Sequence, residues 1–153
     1  MAYAEYNDYY TLYYGEVLPP EDAIRWLDRA SDMLDALTHD RLRTAYPTEY
    51  ADKIRKATCA LADALYNVDQ QQKASAVQKS DAGGYHGAIE SIKSGKQSVS
   101  YASPGSGASV YAAAAADEGA RLRLCFQAVG LYLANVPDAN GVNLLYAGED
   151  RHV

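Results

Sequence analysis

The chain has 153 residues, 48 % of them apolar or aromatic, and a formal net charge of −6. That is one domain's worth of chain, long enough to bury a core without disulfide or metal staples. No apolar run approaches the ~20 residues of a membrane-spanning helix. The opening Met-Ala-Tyr-Ala-Glu-Tyr-Asn-Asp has neither the basic start nor the apolar stretch of a signal peptide, so a protein made and used on the soluble side of a cell is expected.

The acidic excess is concentrated in residues 1–40, which carry nine acidic and two basic side chains. Such a segment repels a phosphate backbone, and the rest of the chain lacks the strong basic patch of a nucleic-acid binder. Cys59 and Cys125 are too few for a disulfide framework and read as small buried core residues in a reducing compartment. Fourteen tyrosines stand against one Phe and one Trp. Tyr joins a large contact area to a polar tip, which suits surfaces that become buried against a partner.

Six of those tyrosines (Tyr3, Tyr6, Tyr9, Tyr10, Tyr13 and Tyr14) fall in residues 1–15, ending at Gly15. No helical or strand period runs through them, and residues 1–19 are expected to form an arm that packs its rings on a helix of its own or a neighbouring chain. Pro19-Pro20, followed by Glu21-Asp22, starts a helix. Ile24, Leu27, Ala30, Leu34 and Leu37, widened by Trp26 and Met33, give it one buried stripe. Asp28, Asp32 and Asp35 lie on another face, where they meet water, line a channel or, with no matching His, much less readily hold a metal.

A short connection, residues 41–47, leads to a second helix with Thr48 as its N-cap. Tyr50, Ile54, Ala57, Leu61, Leu65 and Val68 form its stripe. Residues 20–68 are therefore expected to pack as an antiparallel helix pair. Arg41, Arg43, Lys53, Arg55 and Lys56 make the chain's one positive cluster, explained most simply as charge balance against the acidic first helix.

From residue 67 the composition turns polar, with Gln70-Gln71-Gln72 and Gly83-Gly84, and residues 69–109 are expected to be loop and hairpin. The helix can persist into the Gln run but must end before the glycines. Within this stretch Gln97, Val99 and Tyr101 alternate with Ser98 and Ser100, the period of a strand. Ser94-Gly95 supplies a turn, and Ile89 and Ile92 mark a weaker first arm of a β-hairpin at residues 89–101. A lone hairpin is marginal in water and must lean on a helix or another chain.

Residues 103–109 form a second flexible stretch, after which a last helix is expected over 110–136. It opens with Ala112 to Ala116, which are excellent helix formers. Leu122, Phe126, Val129 and Leu133 form its stripe, flanked by Leu124, Leu131 and Tyr132, and Pro137 stops it. The tail, 137–153, carries the apolar triplet Leu144-Leu145-Tyr146, which is expected to dock. The fold class expected is thus mainly α: a small bundle of three main helices, a β-hairpin insertion before the last one, and extended termini.

Catalytic patterns are absent. His39, His86 and His152 have no Cys or acidic partner at ligand spacing, and no nucleophile elbow, phosphate loop or Cys-x-x-Cys is present. The glycine-rich Ala82-Gly83-Gly84-Tyr85-His86-Gly87 lacks the lysine and preceding strand of a nucleotide site. Neither an enzyme nor a cofactor is expected.

Four features, taken in order, resemble the head–tail connector (adaptor, or head-completion) proteins of long-tailed bacteriophages. They are the Tyr-rich opening before Gly15, the helix Pro20-Glu-Asp-Ala-Ile-Arg-Trp-Leu-Asp-Arg-Ala-Ser, the helix Ile54-Arg-Lys-Ala-Thr-Cys-Ala-Leu-Ala-Asp-Ala-Leu, and the segment Ile92…Gly95…Ser98-Val-Ser-Tyr101 followed by a helix and Leu144-Leu145-Tyr146. The chain departs from that pattern in a long 67–87 segment and in Gln97, where an aromatic residue is expected.

The resemblance implies a virion structural protein of the neck, made in the host cytoplasm. It implies a ring, typically of twelve copies, that sits between the portal protein and a tail-side neck or tail-terminator protein. DNA then passes through the ring without specific binding, and neither catalysis, cofactor nor membrane is involved. Ile89, Ile92, Val99, Tyr101, Leu144, Leu145, Tyr146, Tyr9, Tyr10 and Tyr13 are the candidate subunit and portal contacts. Asp28, Asp32 and Asp35 are the candidate channel-facing residues. The alternative is a helical DNA-binding regulator that uses the basic cluster.

Overall fold

Pro19 and Pro20 fix where the first long helix begins, since a ring-locked φ suits a first turn whose N–H groups have no helical partner. The computed structural model describes residues 2–44, 46–82 and 109–146, and among these it is mainly α-helical, with no strand. The helices are α1 (Tyr6–Thr11), α2 (Pro20–Leu37), α3 (Arg41–Thr44), α4 (Ala51–Ala82), α5 (Val110–Ala116) and α6 (Glu118–Leu133). The hairpin expected at 89–101, with Ile89, Ile92, Val99 and Tyr101, lies outside the described residues, as does the tail beyond Tyr146.

The chain divides into two units, Met1–Tyr66 with Cys125–Val153, and Asn67–Leu124. The first holds the main core: Tyr9, Leu27, Leu34, Leu42, Ile54, Leu61, Val129, Leu133 and Leu144 are each no more than 1 % exposed. Trp26 packs edge-on against Tyr66, with ring centroids 5.8 Å apart, and joins α2 to α4. Ser31, Thr38 and Thr58 are buried hydroxyls that donate to carbonyls one turn back, those of Leu27, Leu34 and Ile54, so none is left without a partner.

The stripe of α2 is the expected one except at Ile24, with Leu27, Ala30, Leu34 and Trp26 buried and Met33 and Leu37 packed against the core. Ala23, Leu27, Ala30 and Leu34 are buried as a 3–4 series, whereas Ile24 is 75 % exposed. Ile24 falls four residues before Asp28 on the acidic side; Trp26 and Ala23 take the core positions of the first turn instead. Thr48 does not cap α4. It opens a single 3-10 turn, Thr48–Tyr50, whose cap position is Pro47 and shows no side-chain hydrogen bond.

In the second unit, the polar stretch after Val68 is not loop up to Ala82 but the continuation of α4, which ends just before Gly83-Gly84. Gln, Lys and Ala are good helix formers, so the segment needs no apolar stripe to be helical. Lys73 adds an ion pair with Asp69 one turn earlier at 3.0 Å. The last helix is two. Ser109 caps α5 by accepting the Ala112 N–H at 3.1 Å, and the chain becomes extended at Asp117 (φ −136°, ψ 126°). The Asp117 carboxylate then accepts the Ala120 N–H at 2.7 Å, opening α6.

Candidate assembly surfaces

The Tyr-rich arm is built into the molecule by one residue. The Tyr9 hydroxyl donates to Asp63 Oδ1 at 2.6 Å and accepts from the N–H groups of Val17 (2.9 Å) and Leu18 (3.0 Å), which uses its proton and both lone pairs. Burial raises the Asp63 carboxyl above the usual carboxylate range, and hydrogen bonds from Tyr9 and Tyr13 pull back part of that rise. The same burial pushes the Tyr9 hydroxyl up to about 12, reinforced by Asp63. Rings continue the contact from Tyr10 through Tyr6, Tyr9 and Tyr13 to Tyr132 on α6, at centroid spacings of 5.7 to 6.4 Å.

Gly15 closes the arm by close approach. A Cβ there would stand 2.1 to 2.5 Å from the Tyr9 ring. Tyr9, one of the expected interface residues, is therefore core of its own chain at 1 % exposure. Tyr13 is half-buried beneath the same network, and Tyr10 stays exposed at 64 %. The Cys59 thiol is pushed up to about 12 by burial, with Asp8 and Asp63 adding to the rise, which makes it inert near neutral pH.

The second built feature is the tail. A turn after α6 is held by Asp138, whose carboxylate accepts the N–H groups of Asn140 (2.8 Å) and Val142 (3.0 Å). Gly141 adopts φ 83° in that turn, a conformation that favours glycine. Arg41 reaches across from α3, pairing with Asp138 at 3.5 Å and donating to the carbonyls of Asn143 (3.0 Å) and Tyr146. Burial alone would raise Asp138, but the two backbone N–H groups and the guanidinium outweigh it and lower the carboxyl. The triplet docks on its own chain: Leu144 is fully buried, Leu145 half-buried, and Tyr146 50 % exposed. Leu144 is thus core rather than interface.

The acidic face of α2 is split in use. Asp28 and Asp32 are exposed, whereas Asp35 is half-buried and accepts the Tyr3 hydroxyl at 2.5 Å. Tyr3 also donates its N–H to Ser31 Oγ at 2.8 Å, so this pair pins the N-terminal segment along α2. The basic cluster is largely spent internally. Arg41 holds the tail, Arg55 pairs with Asp52 at 2.9 Å and lies 3.9 Å from Asp8, and Lys53 lies over the Tyr50 ring at 5.8 Å. Arg43 pairs at 3.6 Å with Asp40, both two-thirds exposed.

Large apolar side chains also remain uncovered on separate elements of the first unit: Tyr14 at 77 %, Ile24 at 75 % and Leu131 at 79 %, with Phe126 at 44 %. In the expected α6 stripe, Val129 and Leu133 are buried, while Leu122 and Phe126 are nearly half exposed. Asp63 and the Arg41 clasp were not singled out from sequence. The available signal was a lone carboxylate inside the apolar run Ala-Leu-Ala-Asp-Ala-Leu.

Among the described residues, no cluster of three or more His, Cys, Asp or Glu side chains could hold a metal ion, and no helix is long and apolar enough to cross a membrane. Comparison with protein-family models, curated proteins and solved structures finds no match.

Proposed function

We propose that this chain is a head–tail connector subunit of a long-tailed bacteriophage: a structural protein of the virion neck that assembles as a ring between portal and tail and extends the DNA channel. The resemblance in the order of its elements suggests the family. The observation that supports assembly most is the exposure of large apolar side chains on separate elements, Tyr10 and Tyr14 on the arm, Ile24 on α2 and Leu131 on α6. A ring of identical subunits needs two different patches per copy, one for each neighbour, and these exposed side chains on separate elements are the candidates for them.

In this reading Tyr10, Leu145 and Tyr146 remain surface candidates, and the exposed Asp28 and Asp32 side chains belong to the proposed channel wall that lets DNA slide without sticking. Ile89, Ile92, Val99 and Tyr101, from the segment expected to form a hairpin, complete the proposed contacts with the portal or the next subunit. The alternative, a DNA-binding regulator, draws less support because Arg41 and Arg55 already bond within the chain.

The test is to mix the purified chain with portal protein and image the product. Rings of about twelve copies capping the portal are expected. Failure to bind the portal, together with salt-dependent binding of duplex DNA by a monomer or dimer, overturns the reading in favour of the regulator.

A further inference from the structure

A half-open cleft of about 680 Å3 lies beside the N-terminal segment, with Tyr3, Asp32, Asp35, Leu42, Arg43 and Tyr46 among its lining residues. Its size falls in the range of roughly 300–1,000 Å3 that recognition pockets occupy. Leu42, 1 % exposed, gives it an apolar base. Tyr3 and Tyr46 stack with centroids 5.9 Å apart and planes 17° from parallel, which gives it a flat aromatic side. The α2 wall presents two carboxylates at i, i+3 spacing. Asp35 is committed to the Tyr3 hydroxyl, whereas Asp32 is exposed and has no hydrogen bond or ion pair among the described residues. Arg43 also lines the cleft, and its ion pair with Asp40 is so exposed that it exchanges easily.

We propose that this cleft binds an arginine-bearing segment of a protein partner, with an acidic side chain close to the arginine. The guanidinium lies against the Tyr46 ring and donates to Asp32, while the acidic neighbour pairs with Arg43. Arginine fits better than lysine because its planar group stacks on an aromatic face while its fork donates to a carboxylate, which a hydrated ammonium does less well. The lining also argues against other ligands. Two carboxylates repel a phosphate backbone, and a hard cation would find one free carboxylate beside a guanidinium, too few oxygen ligands for a stable site. The reading goes beyond ring assembly and is tested on the free chain, so its failure leaves the connector reading untouched.

The test is an NMR titration of the full chain with the acetylated peptide Ala-Arg-Ala-Glu-Ala, followed on the Tyr3 and Tyr46 ring signals. Both should shift, and replacing the peptide's arginine by lysine, or Asp32 by Asn (Asp32→Asn), should each weaken binding about tenfold, the worth of one charge-assisted bond. Asp32 is exposed, so the variant should unfold at the parent temperature, and a thermal scan checks this. Arg43→Gln should erase the preference for Glu over Gln in the peptide and keep the preference for arginine over lysine. Equal binding of the arginine and lysine peptides overturns the proposal, as does an Asp32→Asn variant that binds like the parent. Absence of any shift at millimolar peptide, or shifts produced by inorganic phosphate instead, also overturns it.

Discussion

Replacing Tyr9 by Phe keeps the ring and removes one oxygen, so its effect isolates the hydroxyl network. Three partners lose their bond. Asp63 loses a donor at 2.6 Å, and a hydrogen bond to a charged group is worth about 1.5–3 kcal/mol. The Leu18 N–H is left unpaired in a residue only 5 % exposed, at a cost of about 1–3 kcal/mol. Val17 is 40 % exposed, so water can take over its N–H at little cost. The expected loss is about 4 kcal/mol, a large share of the roughly 5–15 kcal/mol that holds a domain together. Urea unfolding at neutral pH measures it as a lower midpoint with an unchanged slope. A loss below about 1 kcal/mol would refute the reasoning, since no arrangement that strands a buried N–H is so cheap. A double-mutant cycle with Asp63→Asn should show a coupling above about 0.5 kcal/mol, the limit of additivity for independent sites.

Gly15→Ala should cost about 3 kcal/mol, because the new methyl must displace the Tyr9 ring from its network, and the melting temperature should fall by about 10 °C. Burial raises the Asp63 carboxyl, so the folded chain holds that proton more tightly than the unfolded chain; its contribution is full below about pH 4 and is lost as pH rises through the folded value. Asp63→Asn should flatten that slope in urea titrations, and an unchanged slope would assign it elsewhere. At the alkaline end, the Tyr9 contribution is full below about pH 10 and lost towards about 12, so phenolate absorbance should show a late tyrosine class ionising together with unfolding. Arg41→Gln should release the tail, with faster hydrogen exchange at the Leu144 N–H that now donates to the Val136 carbonyl at 2.9 Å. Because Asp138 is lowered, its contribution is present above about pH 4 and lost as pH falls through the folded value, so acid should open the parent's tail in the same way.

The helices were legible because their signals are local: Pro20 at a first turn, 3–4 apolar spacing in α2 and α4, and alanines in α5. What was not legible came from pairings distant in sequence or from one residue outvoting a pattern. Ile24 fits a stripe by spacing, but Ala23 takes the core position of the first turn and Ile24 is left 75 % exposed. Asp117 reads as an ordinary helical residue until its carboxylate is seen capping α6. Tyr9 and Leu144 look like surface contacts because their burial depends on Asp63 and Arg41, partners that spacing along the chain does not reveal. The candidate acidic face was readable as a face, but the division of labour within it, Asp35 pinning Tyr3 while Asp32 stays open, rests on the N-terminal segment lying along α2.

The knot of bonds at Tyr9 and Arg41 also bears on how the protein is made. Tyr9 waits for Asp63, 54 residues later, and Arg41 for Asn143, 102 residues later. Contacts of that separation slow folding, because a long loop must close before they repay its entropy. During synthesis the arm emerges before α4 yet cannot settle until Asp63 is out, and the core is sealed only when Leu144 arrives. Removing Tyr9 with the arm, or Leu144 with the turn before it, is therefore not trimming: each is part of the interior, and its loss leaves the rest of the core exposed to proteases and to aggregation.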